Sequence, residues 1–301
     1  MTKTELKKLA EKAIPRIKMM FQDTLEFNCT DYFASNEVHI GISLKLDGYF
    51  PIPIACLDDL PDGATAEEVA NIVADAFREL LHNLNALPAF PEMSRENVLE
   101  NVVLQVLGRE RNCQMLDSHP HISFLDLAGI FRVPVGPFQK NSLTTALITN
   151  QIANELGLTV DELADAARRN TLAKFGTQFG TAQQMAMCSM TGRLCDALED
   201  AEMEQSCLYN LTNKIEINGA ALVLIPEILE KIGDKAGMDY FILPSSIHEV
   251  LIKKDDGLLT AQELKKIVHQ NNRLDFVVKP EEVLSDNIYH YSRKGKELKI
   301  V

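Results

Sequence analysis

Between residues 38 and 46 apolar and polar side chains alternate without a break, Val38, Ile40, Ile42, Leu44 and Leu46 against His39, Gly41, Ser43 and Lys45. A period of two sends the two sets to opposite faces of an extended strand, so this segment is half-buried and requires a sheet with one covered face. The cover is encoded on either side. Upstream, Leu6, Leu9, Ala10, Ala13, Ile14, Ile17, Met20 and Phe21 recur at helical spacing, with a kink expected at Pro15. Downstream, Thr65 and Glu68 form a capping box before a second helix, whose predicted buried stripe is Val69, Ile72, Val73, Ala76, Phe77, Leu80 and Leu84.

Asp47 and Gly48 end the strand and return the chain through residues 49–57. Pro51 and Pro53 lack an N–H on the same side of that return strand, which predicts a sheet edge. A two-residue turn would pair Leu46 with Tyr49 and put Phe50, Ile52 and Ile54 on the polar face, so a longer loop or a bulge is expected. The sequence PAFPE at 88–92 reads as a linker, dividing the chain into lobes at 1–92 and 93–301. In the second lobe Ser94 caps a helix predicted to carry Val98, Val102, Val103, Val106 and Leu107. Residues 122–135 and 143–148 read as strands. Thr149, and Thr159 with Glu162, cap two helices separated by Gly157. Residues 176–206 are rich in Gln, Met and Ala and read as helical or loose. Strands follow at 208–211 and 220–225, then a helix opened by Pro226, strands at 240–243 and 249–253, and a helix capped by Thr260 and Glu263. A hairpin around Lys294 and Gly295 closes the chain. The expected class is α+β, with mixed or antiparallel sheets and flanking helices.

Lysine and arginine number 30 against 43 aspartates and glutamates, a net charge of −13. That balance opposes binding to nucleic acid or to an anionic membrane surface, because phosphate contact needs clustered cations. The six cysteines contain no C-x-x-C pair, and the N-terminal residues lack the apolar core of a signal peptide. Free thiols and a cytoplasmic location are therefore expected. Phosphate-loop and dinucleotide fingerprints are missing, so no cofactor is expected, and the partner class left open is an unidentified protein.

The densest polar chemistry lies in FILPSSIHEVL at 241–251, where Ser245, Ser246, His248 and Glu249 are the candidate catalytic residues. On a strand Ser246 and His248 share one face and Glu249 takes the other, so a relay along one backbone is excluded without partners from elsewhere. The favoured reading is a turn after Pro244 in which the hydroxyls bond local amides and His248 and Glu249 satisfy buried polar groups. No metal is expected. The residues that come nearest to a ligand set are His119, His121, Asp126 and His248, with Glu249 beside them. His39, His82, His269 and His290 read as ordinary surface side chains. Met185, Met187, Met190 and Met203 make either an adaptable partner surface or a core helix.

Several strings carry a resemblance: Pro120-His121 with residues 124–127 (FLDL), Leu211-Thr212-Asn213 with Gly219-Ala220, residues 243–250 (LPSSIHEV), and residues 283–286 (VLSD) with Tyr289 and Tyr291. From about Pro51 onward, and least at 176–206, the chain resembles an uncharacterised bacterial family of domains of unknown function, often encoded on mobile elements. A more distant likeness is to another widespread uncharacterised family. The resemblance implies shared fold and motifs and transfers no activity. It points to an accessory or regulatory binding protein of a mobile element. Two alternatives stand beside it: a hydrolase or metal-dependent enzyme at Ser246, His248 and Glu249 with His121 or Asp126 donated, and an acidic inhibitor that imitates nucleic acid.

Overall fold

The half-buried strand and the helices around it form the first of two units in this computed structural model, Met1–Met93; the second is Ser94–Val301. The structure describes residues 1–34, 37–46, 52–83, 93–135, 138, 140–141, 143–191, 193, 195, 198, 203–204, 206–274 and 276–301. In the first unit, helices α1 (Lys3–Met20) and α2 (Ala66–Asn83) pack on an antiparallel sheet ordered β1 (Glu26–Ala34), β2 (Glu37–Lys45), β3 (Ile54–Cys56). Ile40, Ile42 and Leu44 point into a core shared with Ala10, Ala13 and Ile17 of α1 and Val69, Ala70, Val73 and Phe77 of α2. Helix α1 runs through Pro15, and capping boxes open both helices at Thr2 with Glu5 and Thr65 with Glu68.

Three expectations for this unit need correction. Ile72 is 53% exposed and Ala76 is exposed too, because the buried stripe runs through Val69, Ala70, Val73 and Phe77 and leaves both on the flank. Strand β1 was not anticipated, since its core-facing positions read Phe27, Cys29, Asp31, opposite Leu44, Ile42 and Ile40. The carboxylate of Asp31 breaks the apolar pattern and is held by Lys7 of α1 at 2.7 Å. Among the described residues the return strand spans Ile54–Cys56 at the edge beside β2, with Leu44 N–H donating to Pro53 O at 3.0 Å. Its register, Ser43 opposite Ile54, differs by two positions from that of a two-residue turn. An even shift keeps each side chain on its face, so Ile52 and Ile54 stay exposed and Ala55 packs on the core. The predicted turn at Asp47 and Gly48, Pro51, Leu84 and the linker at 88–92 lie outside the described residues.

In the second unit, β6 (Leu127–Pro134) is flanked on one edge by β4 (Val103–Gly108) and on the other by β5 (His121–Phe124) and β7 (Thr145–Leu147). A larger antiparallel sheet runs in the order β13 (Glu297–Ile300), β12 (Tyr289–Ser292), β10 (Tyr240–Pro244), β11 (Val250–Lys254), β9 (Leu208–Thr212), β8 (Gln178–Thr181). Among the described residues its α-helices are α3 (Arg95–Asn101), α4 (Cys113–Leu116), α5 (Asn150–Glu155), α6 (Val160–Phe175), α7 (Ala182–Thr191), α8 (Pro226–Ala236) and α9 (Ala261–Asn271). The sheets are antiparallel and the class is α+β.

The helix capped by Ser94 stops at Asn101, and the valine-rich run beyond it is β4, buried at every position. A strand covered on both faces shows no alternation, and the spacing of Val98, Val102 and Val106 imitates a helix. Helix α6 seals the break: Asn170 Nδ2 donates to Leu99 O and Val102 O, and Leu104 N–H donates to Thr171 Oγ1. Residues 122–135 fold back at Leu125, whose φ is 56°, to make β5 and β6 rather than one strand. Gly219–Leu224 is a fully buried 3-10 helix where a strand was expected, and β8 is a strand within the stretch expected to be helical or loose.

Candidate functional site

Pro244 pairs with Val250, which makes residues 245–249 the loop of the β10–β11 hairpin and not a strand start. Its polar groups are engaged locally. Ser246 N–H donates to Glu249 O at 3.1 Å, and His248 N–H donates to Ser246 Oγ at 3.0 Å. Three neighbouring segments then clamp the loop. Ile247 N–H donates to Glu282 O at 2.9 Å, Thr212 Oγ1 donates to His248 O at 2.8 Å, and Asn218 N–H donates to His248 Nδ1 at 3.1 Å. With Nδ1 accepting, the ring proton sits on Nε2, which faces Glu282 Oε1 at 3.7 Å. Glu249 accepts from Asn210 Nδ2 and, at 3.3 Å, from Ser245 Oγ. A Cβ on Gly219 would stand 2.2 Å from Thr212 Oγ1 and 2.5 Å from His248 O, so the approach needs glycine. Among the described residues no hydrogen bond joins the Ser246 hydroxyl to the His248 ring.

Asp126 belongs to a separate knot. At the β5–β6 turn its carboxylate accepts from Ser285 Oγ at 2.6 Å, Tyr289 OH at 2.7 Å and Asn287 Nδ2 at 3.0 Å. Burial and the charge of Asp126 push the Tyr289 phenol upward, which keeps it a donor. A Cβ on Gly108 would stand 2.6 Å from Leu284 O, so β4 also presses against this segment. His119 is buried, with Nδ1 2.7 Å from Met115 O, and burial holds its pKa below the usual value. His121 Nδ1 donates to His119 O at 3.0 Å. His119 and His121 share one local network, Asp126 and His248 serve two others, and the four do not assemble as a ligand set among the described residues. The strings singled out in the sequence, 124–127, 211–213, 219–220, 243–250 and 283–289, meet in these two knots.

The hairpin forms one wall of an apolar groove of about 200 Å³ between β10, β11 and α9. Leu243, Pro244, Ser245 and Leu251 line one side and Leu264, Ile267 and Val268 the other. Its rim leaves large apolar side chains in solvent: Leu208 45%, Ile267 41% and Val277 47%, with Phe276 beside them at 86%. At one end Lys253 Nζ meets Asp256 at 2.5 Å, both side chains almost fully buried. Asp256 also accepts from Ser206 N–H and Leu258 N–H, and its pKa is lowered to about 2, chiefly by Lys253. A wider depression of about 460 Å³ lies on the polar face of α9, lined by Gln262, Lys265, Lys266 and His269 among others.

The first unit holds a cluster that the sequence reading missed. His39, an ordinary surface side chain by its sequence pattern, is hydrogen-bonded through Nδ1 to Asp58, and Tyr32 stacks on its ring at 5.3 Å and 27°. Cys56 completes the group: one ligand-type atom from each of His39, Cys56 and Asp58 lies within 4.8 Å of the others. The available signal was strand parity. His39 and Gly41 share the outward face of β2, and Cys56 and Asp58 share the matching face of the return strand.

These features define an α+β protein of two units, with a braced hairpin beside an apolar groove in the second and a His-Cys-Asp cluster in the first. The chain belongs to a family of unknown function, DUF5688, whose model matches residues 2–293 and so extends across the N-terminal unit as well. No curated protein matches the chain, and no solved structure does. Among the described residues no helix is long and apolar enough to cross a membrane.

Proposed function

We propose that this chain is a non-catalytic accessory or regulatory binding protein, and that the groove between α9 and the β10–β11 hairpin receives an apolar segment of a protein partner. The observation that carries the reading is the concentration of exposed large apolar side chains, Leu208, Leu259, Ile267 and Val277, around a concave apolar floor. At about 200 Å³ the groove falls below the roughly 300–1,000 Å³ of small-molecule and cofactor sites. It suits side-chain anchors. The net charge of −13 favours a partner with basic residues flanking the anchor and opposes nucleic acid.

The polar loop supports the same reading. Ser246, His248 and Glu249 spend their hydrogen bonds in fixing the hairpin, which preorganises the groove wall instead of presenting a nucleophile and base. No disulfide joins any of the six cysteines, which favours a cytoplasmic setting, and the motif resemblance favours a mobile-element context. The test is selection of random displayed peptides on the full chain. Selected peptides should carry apolar anchors and lose about tenfold or more in affinity for Ile267→Asp and Val277→Asp, two exposed positions whose folding is checked by circular dichroism. Peptides that bind both variants as well as the parent would overturn the groove assignment.

A further inference from the structure

The His39–Cys56–Asp58 cluster is built by strand register. Gly41 pairs with Cys56, and Leu57 N–H donates to Ile40 O at 3.0 Å, which carries the β2–β3 ladder one step further and sets Asp58 across from His39. On the other side of β2, Tyr32 pairs with His39. Cys56 and Asp58, two apart on an extended chain, project to the face that also carries His39, away from the core formed by Ile40, Ile42 and Leu44. Gly41 on the same face lets the return strand approach closely: a Cβ there would stand 2.4 Å from Ile54 Cγ2 and 2.8 Å from Ala55 O. The Asp58 carboxylate is oriented, with one oxygen on His39 Nδ1 and the other 3.5 Å from Ile40 N–H.

We propose that His39, Cys56 and Asp58 bind a zinc-class divalent ion, through one imidazole nitrogen, one thiolate and one carboxylate oxygen, with the fourth position left to solvent. Around tetrahedral Zn²⁺, metal–ligand bonds of about 2.0–2.3 Å set the donor atoms on the order of 3.5 Å apart. Donors already within 4.8 Å of one another need only side-chain rotation to reach that spacing. The mixed N, S, O set selects a borderline ion, since Ca²⁺ and Mg²⁺ take oxygen donors and lack affinity for sulfur. Charge balances as well: a thiolate and a carboxylate neutralise the dication, so the partly buried site carries no net charge when filled. Binding forms the metal–sulfur bond as the Cys56 thiol proton leaves to solvent, and the proton between His39 Nδ1 and Asp58 moves to Nε2.

Tyr32 supplies an outer contact. It pairs with His39 across the β1–β2 ladder and stacks on the imidazole at 5.3 Å and 27°, which holds the ring's orientation beside the cluster. The side chains of His39 and Asp58 are 22% and 29% exposed and Cys56 is exposed, which gives an ion a path in and leaves room for a water ligand. The same three residue types could make a thiol nucleophile with a base and an orienter. Neither cavity described above, the groove beside α9 nor the depression on its polar face, is lined by these residues.

The full chain, stripped with chelator, is titrated with Zn²⁺ against a chromophoric competitor and with Co²⁺ by absorbance. The expected result is one ion per chain, with a sulfur-to-cobalt charge-transfer band in the near ultraviolet. Cys56→Ser should abolish that band, and Asp58→Asn should weaken Zn²⁺ binding by about 100-fold. Cys113→Ser, at an exposed thiol of the other unit, should change neither. Circular dichroism of the metal-free variants checks folding separately, because the ligands face away from the core. Absence of the thiolate band in the parent chain, a band that survives Cys56→Ser, or Zn²⁺ binding indifferent to both substitutions would each overturn the site.

Discussion

Replacing Asp126 by Ala removes the acceptor for three side-chain donors at once: Ser285 Oγ at 2.6 Å, Tyr289 OH at 2.7 Å and Asn287 Nδ2 at 3.0 Å. The cost is unequal among them. Tyr289 is 2% exposed, so its hydroxyl loses its partner where water does not replace it, and a buried unsatisfied group costs about 1–3 kcal/mol. Ser285 and Asn287 lie in the turn before β12, and water reaches Asn287, so their combined share is about 1–2 kcal/mol. The expected loss is about 3 kcal/mol, or roughly 6–12 °C in Tm for a unit of this size. Urea unfolding followed by circular dichroism suits the chain, which has no tryptophan. Asp126→Asn keeps the shape and one acceptor oxygen, and should lose about half as much. A loss below about 0.5 kcal/mol for Asp126→Ala would refute the reasoning, because three bonds to one carboxylate cannot then be holding the β5–β6 turn to β12.

Gly219→Ala places a methyl 2.2 Å from Thr212 Oγ1 and 2.5 Å from His248 O. It should destabilise the second unit by about 2 kcal/mol or more and speed amide exchange at Ile247 and His248. Asp256, lowered to about 2 from 3.8, contributes stability that is complete above pH 4 and is lost as pH falls through about 2. The stability of Asp256→Asn should therefore vary less with pH between 4 and 2 than that of the parent, as read from acid unfolding curves.

Much of the secondary structure was legible where local chemistry dictates it. Thr65, Ser94, Thr149, Thr159 and Thr260 all cap helices, because a cap is settled within four residues of chain. The alternation of β2 and the terminal hairpin were equally readable. Legibility failed where burial on both sides erased the pattern, as in β4 and the 3-10 helix Gly219–Leu224, and where a core-facing position of β1 carries Asp31. The sites show the same divide. Residues 245–249 stood out because serine, histidine and glutamate are neighbours in sequence, yet their partners Thr212, Asn218 and Glu282 come from three other segments. His39, Cys56 and Asp58 were invisible as a group because only register brings them together, and the turn that sets the register is not decided by its Asp-Gly pair.

The most direct test of the account is the unfolding free energy of His248→Ala beside the parent chain. That substitution removes the acceptor for Asn218 N–H, whose residue sits at φ 56°, and the ring that faces Glu282. The account predicts a loss of about 1–3 kcal/mol with no catalytic activity altered, since the loop is a brace. An unchanged urea midpoint accompanied by loss of a hydrolytic activity that the parent displays would contradict it and return Ser246, His248 and Glu249 to the role of an active site.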